Sequence, residues 1–481
     1  MHRQLSNPQN TRFSHSSPLS PAVIARIEVE IIEAYRDAGY PFVAVSTPPQ
    51  EITTGLLNLR VVEFVAGDVA VRGGERMPPE RVREQIRQPS GAAINADALE
   101  QDLAWLNRSP FRRVQAEFSP GGALGETDLT LDVRESRPWS LSAGYTNSGS
   151  AATGGRDRLS FGASAGDFLI PGSVLAYRLT ASPDALSGGR ESYIGHSLLG
   201  SVPVGARQEV GFSIGLVDTR EISGAFDIRS RTHEVAFRYR AALSNFSALP
   251  GDIRIGVEQR SQRCETFFGP PSPVASDRAV VRQLMLGWNT SWSGLRGRSE
   301  LDLSARLSPG NLGAGNKHVD FAALTAGRVT RARYGYLSTF FSHEHRLSDH
   351  GNSVSVAAIG QLASGPLPGT EQFTLGGVQA VRGYASEDGA FDTGLILRSE
   401  YRFARYDAVR FRISPSLFAD IGVGRDIGAD VTARLASVGL AAAMGVGTNG
   451  SAALVVAHTL RDGTATPRGR TRLNLNLSFT Y

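Results

Sequence analysis

Between Arg472 and Tyr481 every second residue is apolar. Leu473, Leu475, Leu477, Phe479 and Tyr481 alternate with Arg472, Asn474, Asn476, Ser478 and Thr480. A period of two sends the two sets to opposite faces of one β-strand. The apolar face then needs cover. In a soluble sheet the cover is a packed core; in a membrane barrel it is lipid, and the polar face lines a wet lumen. One strand does not decide between them, but many strands of the same pattern do.

From Arg137 onward the pattern recurs. Trp139, Leu141, Ala143 and Tyr145 alternate with Ser140, Ser142, Gly144 and Thr146, and glycine-rich or polar connections follow each candidate strand. Sixteen strands fit between 138–146 and 471–481. That even count closes an up-and-down antiparallel barrel, which leaves no backbone edge unpaired in lipid. In this layout 219–229, 263–280, 309–333 and 363–393 are outer loops. No run of eighteen apolar residues occurs, which excludes a transmembrane helix but not a barrel. A hydrophobic content of 41% and a mean hydropathy of −0.15 fit strands that are apolar on one face only.

The first part of the chain has a different texture. Ser20 and Pro21 suit the start of a helix over 20–38, with Ile24, Ile27, Ile31 and Tyr35 on one face and Gly39 at its end. Strands at 42–47 and 56–63 flank TPPQEITTG. A second set follows: a strand at 67–72, a helix opened by Pro78 and Pro79, a helix capped by Asn95, and strands at 111–118 and 127–133. In the second helix Leu99, Leu103 and Leu106 share a face. This predicts two small α+β modules, the first incomplete over 20–65 and the second over 66–136, ahead of a barrel over 137–481. Residues 1–19 are expected to be disordered or a truncated start. MHRQLSNPQNTRFSHSS has no apolar h-region and so reads as no signal peptide.

Several chemistries are weakly supported. Cys264 stands alone, so no disulfide framework exists within the chain. A net charge of +4, without a basic block interleaved with aromatics, gives no case for nucleic acid. Gly445, Gly447 and Gly450 form GxGxxG, but a strand rather than a helix follows, so the segment reads as a tight turn. His343 and His345 share a strand face, too few for a metal site. No catalytic constellation and no cofactor motif is evident.

Two segments carry the functional signal. Residues 360–403 read GQLASGPLPGTEQFTLGGVQAVRGYASEDGAFDTGLILRSEYRF and contain Val381, Arg382, Gly383 and Tyr384. Downstream, RFRISPSLFADIGVG puts Phe411, Ile413, Leu417 and Ala419 on one face. Arg410, Arg412, Ser414, Ser416, Phe418 and Asp420 fall on the other. Pro415 removes one ladder donor, and a bulge there would shift the facing of later residues. Arg398, Glu400 and Arg402 lie on the polar side of the strand after the loop.

These segments resemble those of the TpsB transporters of two-partner secretion (FhaC/ShlB/HecB-like), a branch of the BamA-type superfamily. The β-α-α-β-β order resembles a POTRA module, and GYPFVAVSTPPQEITTGLLNLRVVE resembles the first POTRA of TpsB proteins. The resemblance implies α+β POTRA modules followed by a 16-stranded antiparallel transmembrane barrel. It implies that 363–393 folds back into the lumen, with Arg382 paired to Asp420 beside Phe418. Arg398, Glu400 and Arg402 would then tune the field of the pore.

The function implied is translocation of an unfolded, TpsA-like exoprotein across the outer membrane. The client would be an adhesin, a haemolysin or a contact-dependent toxin, captured by β-augmentation on periplasmic POTRA modules. Leu99, Ala116 and Phe118 are candidate client-binding residues. Leu475, Leu477, Phe479 and Tyr481 would be the signal read by the barrel-assembly machinery. The chain is expected to be a monomer in outer-membrane lipid, not an enzyme. The alternative is a BamA- or TamA-like assembly factor.

Overall fold

The computed structural model describes residues 20–51, 57–189, 191–247, 249–269, 272–294 and 296–481. The expectation for residues 1–19 falls outside them. Contacts divide the chain into two compact units: residues up to Arg134 without 109–111, and 109–111 with 135–481.

The first unit opens with α1 (Pro21–Asp37). The Ser20 hydroxyl accepts from the Val23 N–H at 3.3 Å, and a proline fills the first turn. Gly39 leaves the helix at φ +87°, where a side chain would be strained and would also strike Asp97. No residue of α1 is fully buried, because it covers only a two-stranded antiparallel sheet, β1 (Val43–Ser46) and β2 (Arg60–Glu63).

Next come β3 (Val65–Gly73), α2 (Pro79–Glu84), α3 (Ala96–Leu106), β4 (Arg112–Pro120) and β5 (Glu126–Glu135). The three strands form a sheet in the order β3-β5-β4, with β3 parallel to β5. Val82, Leu99, Leu106, Val114, Leu129, Leu131 and Val133 make its dry core. Asn95 caps α3 by accepting from the Ala98 N–H at 2.9 Å. Under the side chains of Arg134 and Arg72, Asp132 takes hydrogen bonds from both, and these guanidiniums hold its carboxyl below the usual range.

The second unit is a closed barrel. Its strands are β6 (Trp139–Thr146), β7 (Arg158–Gly166), β8 (Val174–Ala181), β9 (Ser192–Gly205), β10 (Gln208–Ser223), β11 (Phe226–Ala242), β12 (Asp252–Phe267), β13 (Ala275–Ser293), β14 (Gly297–Ser308), β15 (Tyr334–Arg346) and β16 (Ser353–Ala363). Within the next connection two short strands, β17 (Phe373–Thr374) and β18 (Ala390–Phe391), pair with each other. The wall resumes with β19 (Thr393–Arg402), which β20 (Tyr406–Asp407) continues along the same neighbour. It ends with β21 (Phe411–Asp426), β22 (Val431–Val446), β23 (Gly450–Thr459) and β24 (Thr471–Thr480). Counting β19 and β20 as one, the strands number sixteen, and antiparallel pairing of β24 with β6 closes the ring.

The period-two reading holds where it was strongest. On β21, Leu417 and Ile421 are 45% and 54% exposed on the outer face, while Phe418 and Asp420 are buried inside. Leu477, Phe479 and Tyr481 are likewise exposed on the outside of the last strand and its end. Tyr481 packs 5.9 Å from Trp139, and the Arg137 guanidinium lies 4.3 Å over its ring.

The structure corrects three boundaries. Residues 219–229 are not a loop: β10 and β11 pair almost to their turn, from Gln208↔Ala241 to Ser223↔Phe226. Most of 263–280 is also strand, and 309–333 contains a helix, α4 (His318–Leu324). The apolar alternation stops in these strand ends, but the ladder continues. Cross-strand ion pairs replace apolar contacts there, Arg220 to Asp227 at 2.7 Å and Arg231 to Asp218 at 2.6 Å.

Pro415 does not bulge its own strand. Pairing of β21 with β22 runs unbroken from Phe411↔Val446 to Asp426↔Val431. The irregularity lies opposite: Arg402 pairs with Ser416, yet Tyr406 pairs with Ile413, so one extra residue sits on the β19–β20 side. The facing of residues 416–424 is therefore as the alternation predicts.

Candidate functional site

Residues 364–392 leave β16, fold inward and return at β19. Their tip meets the lumenal face of β21. Arg382 Nε and Nη2 donate to the two carboxylate oxygens of Asp420, each at 2.7 Å, and the Arg382 backbone N–H adds a third bond at 3.1 Å. Arg382 Nη1 donates to Glu400 at 2.9 Å. The guanidinium lies 3.5 Å over the ring of Phe418, a cation–π contact on its remaining face. Asp420 is fully buried and Arg382 is 3% exposed.

This geometry follows from strand parity. Asp420 and Phe418 are two residues apart on β21 and share a face, and their cross-strand neighbours on β19 are Arg398 and Glu400. Arg398 Nε stands 3.8 Å from Asp420, and Arg402 bonds Glu400 at 3.3 Å and Glu344 at 3.0 Å. Arg382 thus enters a wall with more carboxylates than cations and supplies the charge it lacks. Removing one partner of a buried pair strands the other and costs about 3–5 kcal/mol; water in a lumen lowers that figure.

The neighbours of Arg382 hold the backbone. Gly383 has φ +93°, and a Cβ there would lie 2.9 Å from the Cβ of Ala457. Only glycine fits both the conformation and the space. Val381 is fully buried with Leu375, Phe391 and Ile396. Tyr384 is buried too, and its hydroxyl sits where the β22–β23 ladder ends. There the carbonyls of Ala436 and Arg461 lie 2.8 and 2.9 Å away, and the Arg461 N–H donates to it at 3.2 Å.

Two further carboxylates of the segment escaped the sequence reading. Asp388 accepts from the N–H groups of Ala465 and Thr466, both at 2.8 Å, and of Ala385 at 2.7 Å. Asp392 accepts from the Leu367 N–H at 2.8 Å, the Ile427 N–H at 2.7 Å and Arg328 at 3.2 Å. Both join one connection to another, and such contacts leave no periodic trace. The acidic residues of ASEDGAFDTG were the only available hint.

The N-terminal candidates separate. Leu99 is 4% exposed inside the module core, so it is not a surface for a client. The helix periodicity marked the core face rather than a docking face. Ala116 is half-buried against that core, and Phe118 is exposed with its ring 4.5 Å from Phe42. Their backbone is informative. Asn107 bonds both the C=O and the N–H of Val114 on β4, at 2.9 and 2.6 Å. Ala116 and Phe118 share the parity of Val114, so their N–H and C=O groups point to the same edge of the sheet.

The barrel and its lumenal tip are matched by known proteins. The model of the haemolysin secretion/activation proteins ShlB/FhaC/HecB matches residues 125–448. The chain belongs to this family. The heme/hemopexin transporter protein HuxB of Haemophilus influenzae is 22% identical over 416 residues, spanning 84% of this chain and 70% of the relative. The hemolysin transporter protein ShlB of Serratia marcescens is 24% identical over 414 residues, spanning 83% and 69%. CdiB from Escherichia coli shares the fold at a TM-score of 0.72 with 17% identity, over 96% of this chain and 85% of that one. The ShlB/FhaC/HecB family is one of transporters rather than enzymes, and its fold here is POTRA modules followed by a barrel. The barrel is an outer-membrane one. Among the described residues no group of three or more His, Cys, Asp or Glu is placed to hold a metal.

Proposed function

We propose that this chain is the outer-membrane pore of a two-partner secretion pair. In this reading residues 20–65 and 66–136 belong to POTRA modules in the periplasm. An unfolded, strand-forming exoprotein adds to the free edge of β4 at Ala116 and Phe118, below the stretch that Asn107 blocks. The client then passes through the barrel once residues 364–392 vacate the lumen. No nucleotide chemistry is invoked; folding of the client outside draws it through. The chain acts as a monomer in lipid, and the outward residues Leu475, Leu477, Phe479 and Tyr481 serve the assembly machinery during biogenesis. The relatives' names support a transporter whose cargo is a secreted protein.

The observation that carries this reading is the bidentate Arg382–Asp420 pair inside the lumen. A segment that merely decorated the surface needs no buried ion pair at its tip. The test is a secretion assay in which the protein is expressed together with a TpsA-like exoprotein. Arg382→Ala is expected to insert normally and to export little. Full export by that variant would remove the role of the pair.

One observation favours the assembly-factor reading as well. The closing seam of β24 with β6 has five registered pairs, from Asn476↔Thr146 to Thr480↔Ser142, whereas β23 and β24 share nine. A disulfide across that seam discriminates: it blocks an assembly factor that opens sideways and leaves a threading pore active.

A further inference from the structure

The segment that carries Arg382 also touches the wall at a second charged place. Glu371 is 5% exposed. Its Oε2 accepts from Tyr336 Oη at 2.7 Å and from Gln283 Nε2 at 3.1 Å, and its Oε1 accepts from Arg260 Nη1. Arg260 Nη1 also donates to the Thr370 carbonyl at 2.9 Å. These partners stand on β12, β13 and β15, whereas Arg382 binds β19 and β21. Between the two contacts the segment crosses from one part of the lumenal wall to another.

The charges at the two contacts are complementary in sense. On the first, Arg260 bonds Glu234 at 2.8 Å, and Glu258 bonds Arg238 at 2.8 Å and Arg306 at 3.1 Å. Three arginines there face two wall carboxylates, and Glu371 supplies the third. On the second, Arg298, Arg398 and Arg402 face Glu300, Glu344, Glu400 and Asp420, and Arg382 supplies the fourth cation. Each wall lacks one charge, of opposite sign, and the segment brings both. Reversing the segment would bring like charges together, which disfavours the opposite seating.

We propose that Glu371 is a second latch, which with Arg382 positions the 364–392 segment across the lumen. The proposal rests on the reading of that segment as the gate. A tip pinned at one point leaves the rest of the segment free to swing about it. A carboxylate with three donors on the wall at the other end removes that freedom. To leave, it must give up charge-assisted bonds formed where little water reaches.

The test uses the full-length protein in planar bilayers. Glu371→Gln keeps the size of the side chain and removes its charge. It is expected to raise the fraction of time the pore is open about tenfold. It is also expected to speed thiol labelling of Val378→Cys in a Cys264→Ser background. Heat-shifted gel mobility reports insertion separately. Wild-type conductance and labelling in Glu371→Gln, with Arg382→Ala opening the pore, would overturn the latch and leave the gate intact. No change in either variant would overturn both. If Glu371→Gln does not insert, Tyr336→Phe removes one donor from the same carboxylate. A smaller rise in open fraction supports the latch there, and an unchanged one overturns it.

Discussion

The three-stranded sheet of the N-terminal unit and the barrel lumen solve the same problem with opposite materials. In the sheet, Leu129 and Leu131 face inward onto Val82, Leu99 and Leu106, and the buried Asp102 is answered by Arg87 of the same unit at 2.8 Å. In the barrel the outward residues are the leucines, and the interior holds arginines and carboxylates that saturate one another. The same period-two alternation serves both, because it fixes only that two faces differ. What covers the apolar face decides which of them is the inside. The comparison also separates two sources of order: apolar packing is non-directional, whereas the bidentate pair in the lumen fixes the angle and register of a loop tip.

The comparison makes its largest demand at the lock. Arg382→Ala and Asp420→Ala are each expected to cost the docked segment up to about 3–5 kcal/mol. They are expected to be non-additive in a double-mutant cycle read by pore conductance. Additive losses would mean that the two side chains do not depend on each other. In the sheet the corresponding change is Leu129→Ala, expected to cost about 2–5 kcal/mol through the cavity it leaves. Faster proteolysis of the N-terminal unit in the full-length protein, with the barrel unaffected, would show it. Leu417→Arg tests the inverted order of the barrel, because a charge facing lipid near the midplane costs about 2–4 kcal/mol. Refolding into lipid measures it, and an unaffected variant would place that face in water. The smallest effect is expected from Phe418→Leu, which removes the ring under the Arg382 guanidinium. A desolvated cation–π contact is worth about 2 kcal/mol, so a modest rise in pore opening is the expected readout.

Legibility in the sequence tracked this division. The sixteen strands, the facing of Phe418 and Asp420, and the Leu129 and Leu131 core follow from alternation alone. The order of helices and strands in the N-terminal unit follows from Ser20, Asn95 and the prolines at helix starts. Other features had no such trace. The upper ends of β10 to β13 carry charge on both faces, so apolar periodicity stopped before the ladder did. Glu371, Asp388 and Asp392 act across long stretches of chain, and nothing local marks a carboxylate that accepts from a distant connection. Leu99 was misplaced for a related reason: a helix stripe states that a face is apolar, not whether the module itself already covers it.

The closure of the ring has a consequence in time rather than in space. The first wall strand, Trp139–Thr146, finds its second neighbour only in Thr471–Thr480, with every other wall strand between them in the chain. Contacts so distant in sequence form slowly, because the loop they close is long before any reward arrives. Until they form, both end strands expose a row of unpaired backbone groups that lipid cannot satisfy. The cylinder therefore has no stable partial form in the membrane. A chain that stalls before its final strand is left with two adhesive edges, and how long they stay open sets how much of it aggregates.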